Sequence, residues 1–187
     1  MVMTIGVLPV GNADITILFR IKDGLARVFP ETKALIVDEQ LPLPEGAFDK
    51  KRGQYRSNQV LGMIQSHASD KSLNRLLGVM NADIYVQGLS FAFGEATFSG
   101  KAALISLWRL KPEFYGSSSN LEVFAERSVK EAVHEVGHTL GLRHCPRSSC
   151  VMHFSNSIFD TDKKQSLFCD DCCMKAALAI NSLEKTS

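Results

Sequence analysis

The chain has 187 residues, of which 45% are apolar and 22% are charged, and its formal net charge is +1. These proportions are those of an ordinary globular protein, so they exclude a disordered or fibrous chain, and the length suits one core with a small appendage. The balanced charge predicts no nucleic-acid partner. The sequence has no run of about eighteen apolar residues, so we expect no membrane contact. It also begins without a positively charged leader, which predicts a cytoplasmic location.

The first half of the chain predicts short strands and helices in alternation. We expect buried strands over 4–9 and 34–37, with a helix between them that Asn12 would cap. Ser57 is suited to begin a second helix. The apolar run over 73–80 fits either a helix or a strand, because runs of this length do not distinguish the two.

Two apolar segments in the middle of the chain predict further strands. Residues 89–94 alternate apolar with small or polar side chains, which is typical of a half-buried strand at a sheet edge. Residues 102–107 are more continuously apolar, so we expect a strand inside the sheet.

A long helix is predicted after the polar break over 116–120. Ser119 followed by Glu122 has the spacing of a capping box, which would begin this helix. His134 and His138 would lie on the opposite side from its apolar stripe and face a cleft. The stripe consists of Ala125, Val129, Val133, Val136 and Leu140.

The segment from His134 to His144 has the spacing of a zinc site. Residues four apart share one helix face, so His134 and His138 can bind one Zn²⁺ at about 2.0–2.1 Å. Glu135 would lie beside the metal, where a carboxylate can take a proton from a bound water and return it to a leaving amine. Gly141 can adopt the left-handed conformation that would turn the chain and bring His144 to the ion as the third ligand.

Four cysteines follow this segment closely. Cys145 and Cys150 are separated by four residues, and Cys169 and Cys172 by two, a spacing typical of structural zinc. We therefore expect a closed Cys₄ zinc site that holds the C-terminal segment, with Cys173 as an alternative fourth ligand. In a reducing compartment metal is favoured over disulfides; a secreted, disulfide-bonded protease is the alternative.

These residues resemble a known family. The segment from His134 to His144 matches the metzincin zinc peptidases, and the cysteines with Met152 resemble the archaemetzincins in particular. The segments 48–55 and 94–96 are also similar. The resemblance implies two Zn²⁺ per chain, one catalytic and one structural, and a turn formed by Met152 beneath the catalytic ion.

The resemblance also implies a fold. It is an α/β (α+β) architecture: a mixed twisted sheet with an antiparallel edge strand, packed by helices that include the ligand helix, plus a small zinc-stapled C-terminal segment. The edge strand, which we place within 89–98, would pair with the substrate backbone. We expect one catalytic domain with an N-terminal subdomain over 1–141 and a smaller one over 142–187.

The predicted function is that of a zinc-dependent metallopeptidase with Glu135 as general base. The resemblance implies aminopeptidase-like action for some members and leaves exopeptidase and endopeptidase action open here. Its partner would be a peptide or protein substrate, and a monomer is expected. The alternative is a zinc-stabilised, non-catalytic peptide-binding or scaffolding protein, against which Glu135 argues, because a structural metal needs no adjacent base.

Overall fold

A computed structural model describes residues 2–69 and 72–183 of the chain. Its centre is a five-stranded sheet with the order β2-β1-β5-β8-β7. The first four strands are parallel, and β7 pairs antiparallel with β8 at one edge. The strands and helices are β1 (Met3–Val10), α1 (Ile15–Val28), β2 (Thr32–Ile36), β3 (Phe48–Asp49), β4 (Gln54–Arg56), α2 (Ser57–Ser69), β5 (Arg75–Met80), β6 (Ile84–Tyr85), β7 (Gly94–Ala96), β8 (Ala102–Ser106), α3 (Leu121–Thr139), α4 (Ile158–Lys163) and α5 (Asp170–Leu183).

Helices cover both faces of this sheet. Successive residues of β1 point to the two hydrophobic cores on opposite faces of the sheet. Val7 belongs to the core formed with α1 and α3, whereas Leu8 belongs to the core formed with α2. All six residues of β5 are buried. The apolar run over 73–80 is therefore a strand, as expected for a central parallel strand that is covered on both faces. The α/β class, with its mixed sheet and antiparallel edge strand, is confirmed.

A small second sheet, with the order β3-β4-β6, supports the segment before β7. Nη2 of Arg52 donates to the carbonyls of Leu89 and Ser90 at 3.0 and 2.9 Å, and Nε2 of Gln54 donates to the Ser90 carbonyl at 3.0 Å. The prediction of a strand over 89–94 was wrong for most of that range. These carbonyls accept from side chains instead of from a neighbouring strand, so the edge strand is confined to Gly94–Ala96.

The two predicted N-caps were wrong by one or two residues. The side chain of Asp14, not Asn12, accepts from the backbone N of Thr16 at 2.8 Å and caps α1. Asn120, not Ser119, caps α3. In both places several capping residues stand close together, and the one next to the first helical residue takes the role. The predicted apolar stripe of α3 is buried.

The described C-terminal part of the chain contains two helices. Helix α5 begins at Asp170 with a second aspartate beside it, which places two carboxylates at the positive end of the helix. Helix α4 lies between Met152 and Cys169, and Ser157 and Asp160 form its capping box. Among the described residues, no helix is long and apolar enough to cross a bilayer. The division into subdomains at residue 141 stays a prediction.

Candidate active site and metal centres

Helix α3 and the turn after it bring three imidazoles together. The ring centroids of His134 and His138 are 4.6 Å apart, and that of His144 lies 5.3 and 4.9 Å from them. One ring nitrogen of each lies within 4.8 Å of the others. His134 is 4% exposed, because α3 packs it against the chain that follows. The three histidines that the sequence predicted as one set are thus one set in space.

The hydrogen bonds of the first two histidines determine their tautomers. Nδ1 of His134 lies 2.8 Å from the Val151 carbonyl, and Nδ1 of His138 lies 2.7 Å from the Leu142 carbonyl. Because a carbonyl only accepts, each Nδ1 carries the hydrogen and each Nε2 presents a lone pair. The two Nε2 atoms nevertheless lie 3.1 Å apart. Two facing lone pairs at this distance fit a cation between them, since tetrahedral zinc at ~2.0–2.1 Å gives N···N of ~3.3 Å.

The turn that brings in the third histidine depends on Gly141. This residue has φ +84°, as the sequence predicted, and its N–H donates to the carbonyl of His138 at 3.0 Å. A side chain there would be strained, because L residues rarely adopt this conformation. The turn also places the Leu142 carbonyl against His138 and leaves His144 exposed at the mouth of the cleft. Partial burial of its ring still lowers the pKa of this imidazole.

Glu135 lies in the same cleft and is 6% exposed. Burial raises its pKa well above the usual range, the carboxylates of Glu131 and Glu95 add to this rise, and the Lys164 ammonium opposes it. Gly94 of β7 is what allows this carboxyl to fit. A Cβ atom there would stand 2.6 Å from Cγ and 2.7 Å from Oε1 of Glu135, and 2.6 Å from the Leu104 carbonyl oxygen, so these atoms would have to move apart.

A buried ion pair beside the site was missed by the sequence reasoning. Nζ of Lys164 lies 3.0 Å from Oε1 of Glu131, and the Thr161 hydroxyl donates to the same oxygen at 3.0 Å. The lysine is 1% exposed and Glu131 is 3% exposed. A signal was present for Glu131, which precedes Glu135 by one helical turn and so shares its face. No local pattern could have pointed to Lys164, 33 residues along the chain from its partner.

The cleft encloses about 390 Å³ between β7, the segment before it and the residues after Met152. Its walls are largely apolar and aromatic, with Phe154 packed 4.8 Å from the His144 ring. Phe98 and Arg143 lie beyond the imidazoles, outside the enclosed part. The cleft therefore has a closed, acidic side and an open side, with the three histidines between them.

Four cysteines form a second group behind the histidines. The sulfur atoms of Cys145, Cys150, Cys169 and Cys172 lie within 4.8 Å of one another, and those of Cys145 and Cys169 are 3.8 Å apart. Tetrahedral zinc at ~2.3 Å from each sulfur requires S···S of ~3.8 Å, so the group fits the ion. Cys173 is exposed and lies outside the group.

The pKa values in this group show how strongly the thiols compete for charge. Burial opposes ionisation of Cys169, but the N–H of Cys172 and the neighbouring thiols outweigh it and lower its pKa to about 7. Burial, followed by the charge of Cys150, raises the pKa of Cys172 far above the usual range. Ionisation of Cys169 is thus favoured over that of Cys150 and Cys172. A divalent cation is what would allow all four to ionise.

The remaining predicted residues are placed as follows. Met152 is fully buried, and its sulfur packs against Gly137 on the inner side of α3, beneath the histidines. His153 contacts the Cys145 carbonyl at 2.9 Å, and His67 contacts Glu39 at 2.8 Å. Neither His153 nor His67 belongs to a metal-type group among the described residues.

Comparisons with known proteins agree on one family. The sequence model of Peptidase family M54 matches residues 5–177. An archaemetzincin of Methanocaldococcus jannaschii is 42% identical over 175 residues, which cover 94% of this chain and 93% of that protein.

Two solved structures share the fold along nearly the whole chain. A crystal structure of archaemetzincin from Methanopyrus kandleri has a TM-score of 0.85 and 31% identity, and covers 96% of both chains. A zinc-dependent peptidase from Methanocorpusculum labreanum has a TM-score of 0.83 and 26% identity, covering 92% of this chain and 99% of that one. With a histidine group, a cysteine group and a cleft in this fold, the chain belongs to the archaemetzincins, the zinc metallopeptidases of family M54.

Proposed function

We propose that this metallopeptidase uses His134, His138 and His144 to hold a catalytic Zn²⁺ and Glu135 as its general base and acid. The observation that carries the proposal is the 3.1 Å approach of two Nε2 lone pairs whose Nδ1–H groups are held by carbonyls. Burial lowers the pKa of all three imidazoles, so they stay neutral, which is the form that binds metal.

The chain's residues divide the chemistry between them. When bound, Zn²⁺ supplies a Lewis acid that polarises the scissile carbonyl and acidifies a water. Glu135 would take the proton of that water and deliver it to the leaving amine. Its raised pKa suits the second step, because the carboxyl then holds the proton that it has taken until the leaving amine accepts it. The apolar cleft walls would keep bulk water away from the reacting groups.

We assign a structural Zn²⁺ to Cys145, Cys150, Cys169 and Cys172, which gives two ions per chain. A four-thiolate site leaves no open coordination position, so its role is to hold α5 and the loop that bears Met152 under the histidines. Metal analysis of the purified protein tests this assignment. Two zinc ions with all five cysteines unoxidised would support it, whereas one zinc ion with two disulfides would contradict it.

The substrate is proposed to lie along β7, whose free edge borders the cleft. Aminopeptidase-like action stays a prediction from the family resemblance. Peptides with free and acetylated amino termini test it directly. An aminopeptidase would cleave only the free forms and release one residue at a time, whereas cleavage of acetylated peptides at internal bonds would identify an endopeptidase.

The replacement Glu135→Ala tests the peptidase assignment against a non-catalytic, peptide-binding role. General-base catalysis contributes roughly 10²–10⁴-fold, so we expect a mixed peptide library to be cleaved by the native protein and to be left at background by the variant. Zinc content and thermal stability should be unchanged. Equal, background-level cleavage by both proteins would end the claim of catalysis and favour the binding role.

A further inference from the structure

The part of the cleft lined by glutamates has more carboxylates than cationic side chains. Three of the described residues that line it carry carboxylates: Glu95, Glu131 and Glu135. No lysine or arginine is among the described lining residues. Glu131 is already paired with Lys164, so that pair adds little net charge. Glu135 is assigned to the water beside the histidines. The carboxylate of Glu95 is left without an opposite charge in the described part of the cleft.

Two polar atoms of this wall lack a hydrogen-bond partner among the described residues. They are Oε2 of Glu95 and Oγ of Ser155, and both atoms are buried. Buried side-chain oxygens are nearly always hydrogen-bonded in folded proteins, and a water, an ion or a ligand can supply a partner that the chain does not. Because the two residues line the same cleft, a single ligand with several N–H groups could bond to both.

The approach to these atoms is apolar. Leu89, Phe91 and Phe154 line the same cleft. Lysine and arginine side chains place a hydrocarbon stem along apolar surfaces and keep the charged end for a polar partner. A straight apolar side chain would fit the walls equally well but would leave Oε2 of Glu95 unbonded.

We propose that Glu95 is a specificity-determining residue that binds the cationic end of a substrate lysine or arginine next to the scissile bond. The stem of that side chain would lie against the aromatic wall, and its N–H groups would donate to Glu95 and to Ser155. This inference rests on the proposed peptidase function, because it takes the cleft to be the substrate site. It adds a substrate class to that function.

Binding of three matched peptides tests this directly. The peptides differ at one position, which is lysine, norleucine or glutamate, and their amino termini are acetylated so that the side chain is the only cation. Norleucine keeps the stem of lysine and lacks the ammonium. Affinities are measured by calorimetry on the full, zinc-loaded chain with Glu135→Gln, which prevents turnover and preserves the side-chain volume.

A charged hydrogen bond predicts that the lysine peptide binds about tenfold more tightly than the norleucine peptide and that the glutamate peptide binds weakest. The preference should fall as salt is added. Adding Glu95→Gln should abolish the difference between lysine and norleucine while retaining the norleucine affinity. The control Glu45→Gln, at an exposed position outside the cleft, should leave the preference intact.

Three outcomes would overturn the inference: equal affinities for lysine and norleucine, tighter binding of norleucine, or no binding of any peptide. A lysine preference that persists in Glu95→Gln would also overturn it. If that variant is less stable, Ser155→Ala offers a second test and should weaken lysine binding alone. Failure of the native protein to cleave peptides would contradict the peptidase proposal. It would leave standing a binding preference for lysine that depends on Glu95.

Discussion

The two candidate metal centres are neighbours in the chain yet differ in every property that decides what an ion does. His144 belongs to one and Cys145 to the other. The histidine group has three ligands, opens into a cleft and has Glu135 beside it. The cysteine group has four ligands, of which three are buried. The same ion would be reactive at the first and purely structural at the second, because only the first leaves a coordination position free.

The same difference shows in how the ligands are held. Two imidazoles are held by hydrogen bonds to backbone carbonyls, and one helix and one turn supply the whole group. The cysteines come from two stretches about twenty residues apart in sequence, and four thiolates this close together would repel one another without a cation between them. The histidine centre should therefore survive loss of its metal, and the cysteine centre should not.

Replacing one ligand in each centre is the strongest test of this contrast. Cys150→Ser should lose the structural zinc and unfold the C-terminal part, since such sites supply on the order of 10 kcal/mol of apparent folding free energy in small zinc domains. His138→Ala should also lose one zinc but should change the melting temperature little.

Thermal unfolding and zinc content measure both effects. Cys173→Ser is the matched control, because this thiol is exposed and outside the group, and it should behave as the native protein. Similar losses of stability in Cys150→Ser and His138→Ala would remove the distinction between the two centres.

Lys164 lies between Cys150 and Cys169 in the chain and pairs with Glu131 on the helix of the histidine centre, and its replacement should cost somewhat less stability. Lys164→Met leaves the carboxylate of Glu131 buried without its cation, and breaking such a pair costs about 3–5 kcal/mol. The double variant with Glu131→Gln should recover most of this loss, since no buried charge remains. Urea unfolding of the native protein and of the two variants gives the free energies of unfolding. A single variant as stable as the native protein would show that the pair contributes little.

Gly94→Ala should affect the histidine centre alone. A methyl group at this position would meet both Glu135 and the Leu104 carbonyl of β8, so it must shift the Glu135 carboxyl and the β7 backbone. A shift of about 1 Å in a catalytic group costs up to roughly 10²-fold in rate. We expect kcat to fall by about 10–100-fold, with zinc content unchanged. Gly46→Ala, where the added methyl group meets nothing, is the control. Unaltered kcat in Gly94→Ala would mean that Glu135 tolerates another position.

The smallest effect is expected at the surface of the cysteine centre. Arg147 pairs with Asp171 at 2.8 Å across the group, but both side chains are more than half exposed. Exposed pairs are weak and screened by salt, so Arg147→Ala should leave the melting temperature and zinc content unchanged within error. A clear loss of zinc would show that this pair helps to close the site.

Features set by contacts close in the chain were predictable. The spacing of His134 and His138 on one helix and the left-handed turn at Gly141 each depend on a few neighbouring residues. The prediction failed where neighbours offered rival choices. Asp14 and Asn120 took the place of nearby capping residues, and the carbonyls of Leu89 and Ser90 accept from the side chains of Arg52 and Gln54.

The sequence by itself determined which residues could bind metal and which carboxylate stands beside them, because helical spacing fixes those distances locally. Only the tertiary structure decided that Cys172 and not Cys173 joins the thiol group, that Lys164 neutralises Glu131, and that Glu95 faces the cleft with a buried oxygen unbonded. These pairings join residues from distant parts of the chain. Their physical cause is the packing of α3 between the sheet and the C-terminal segment, which no local pattern encodes.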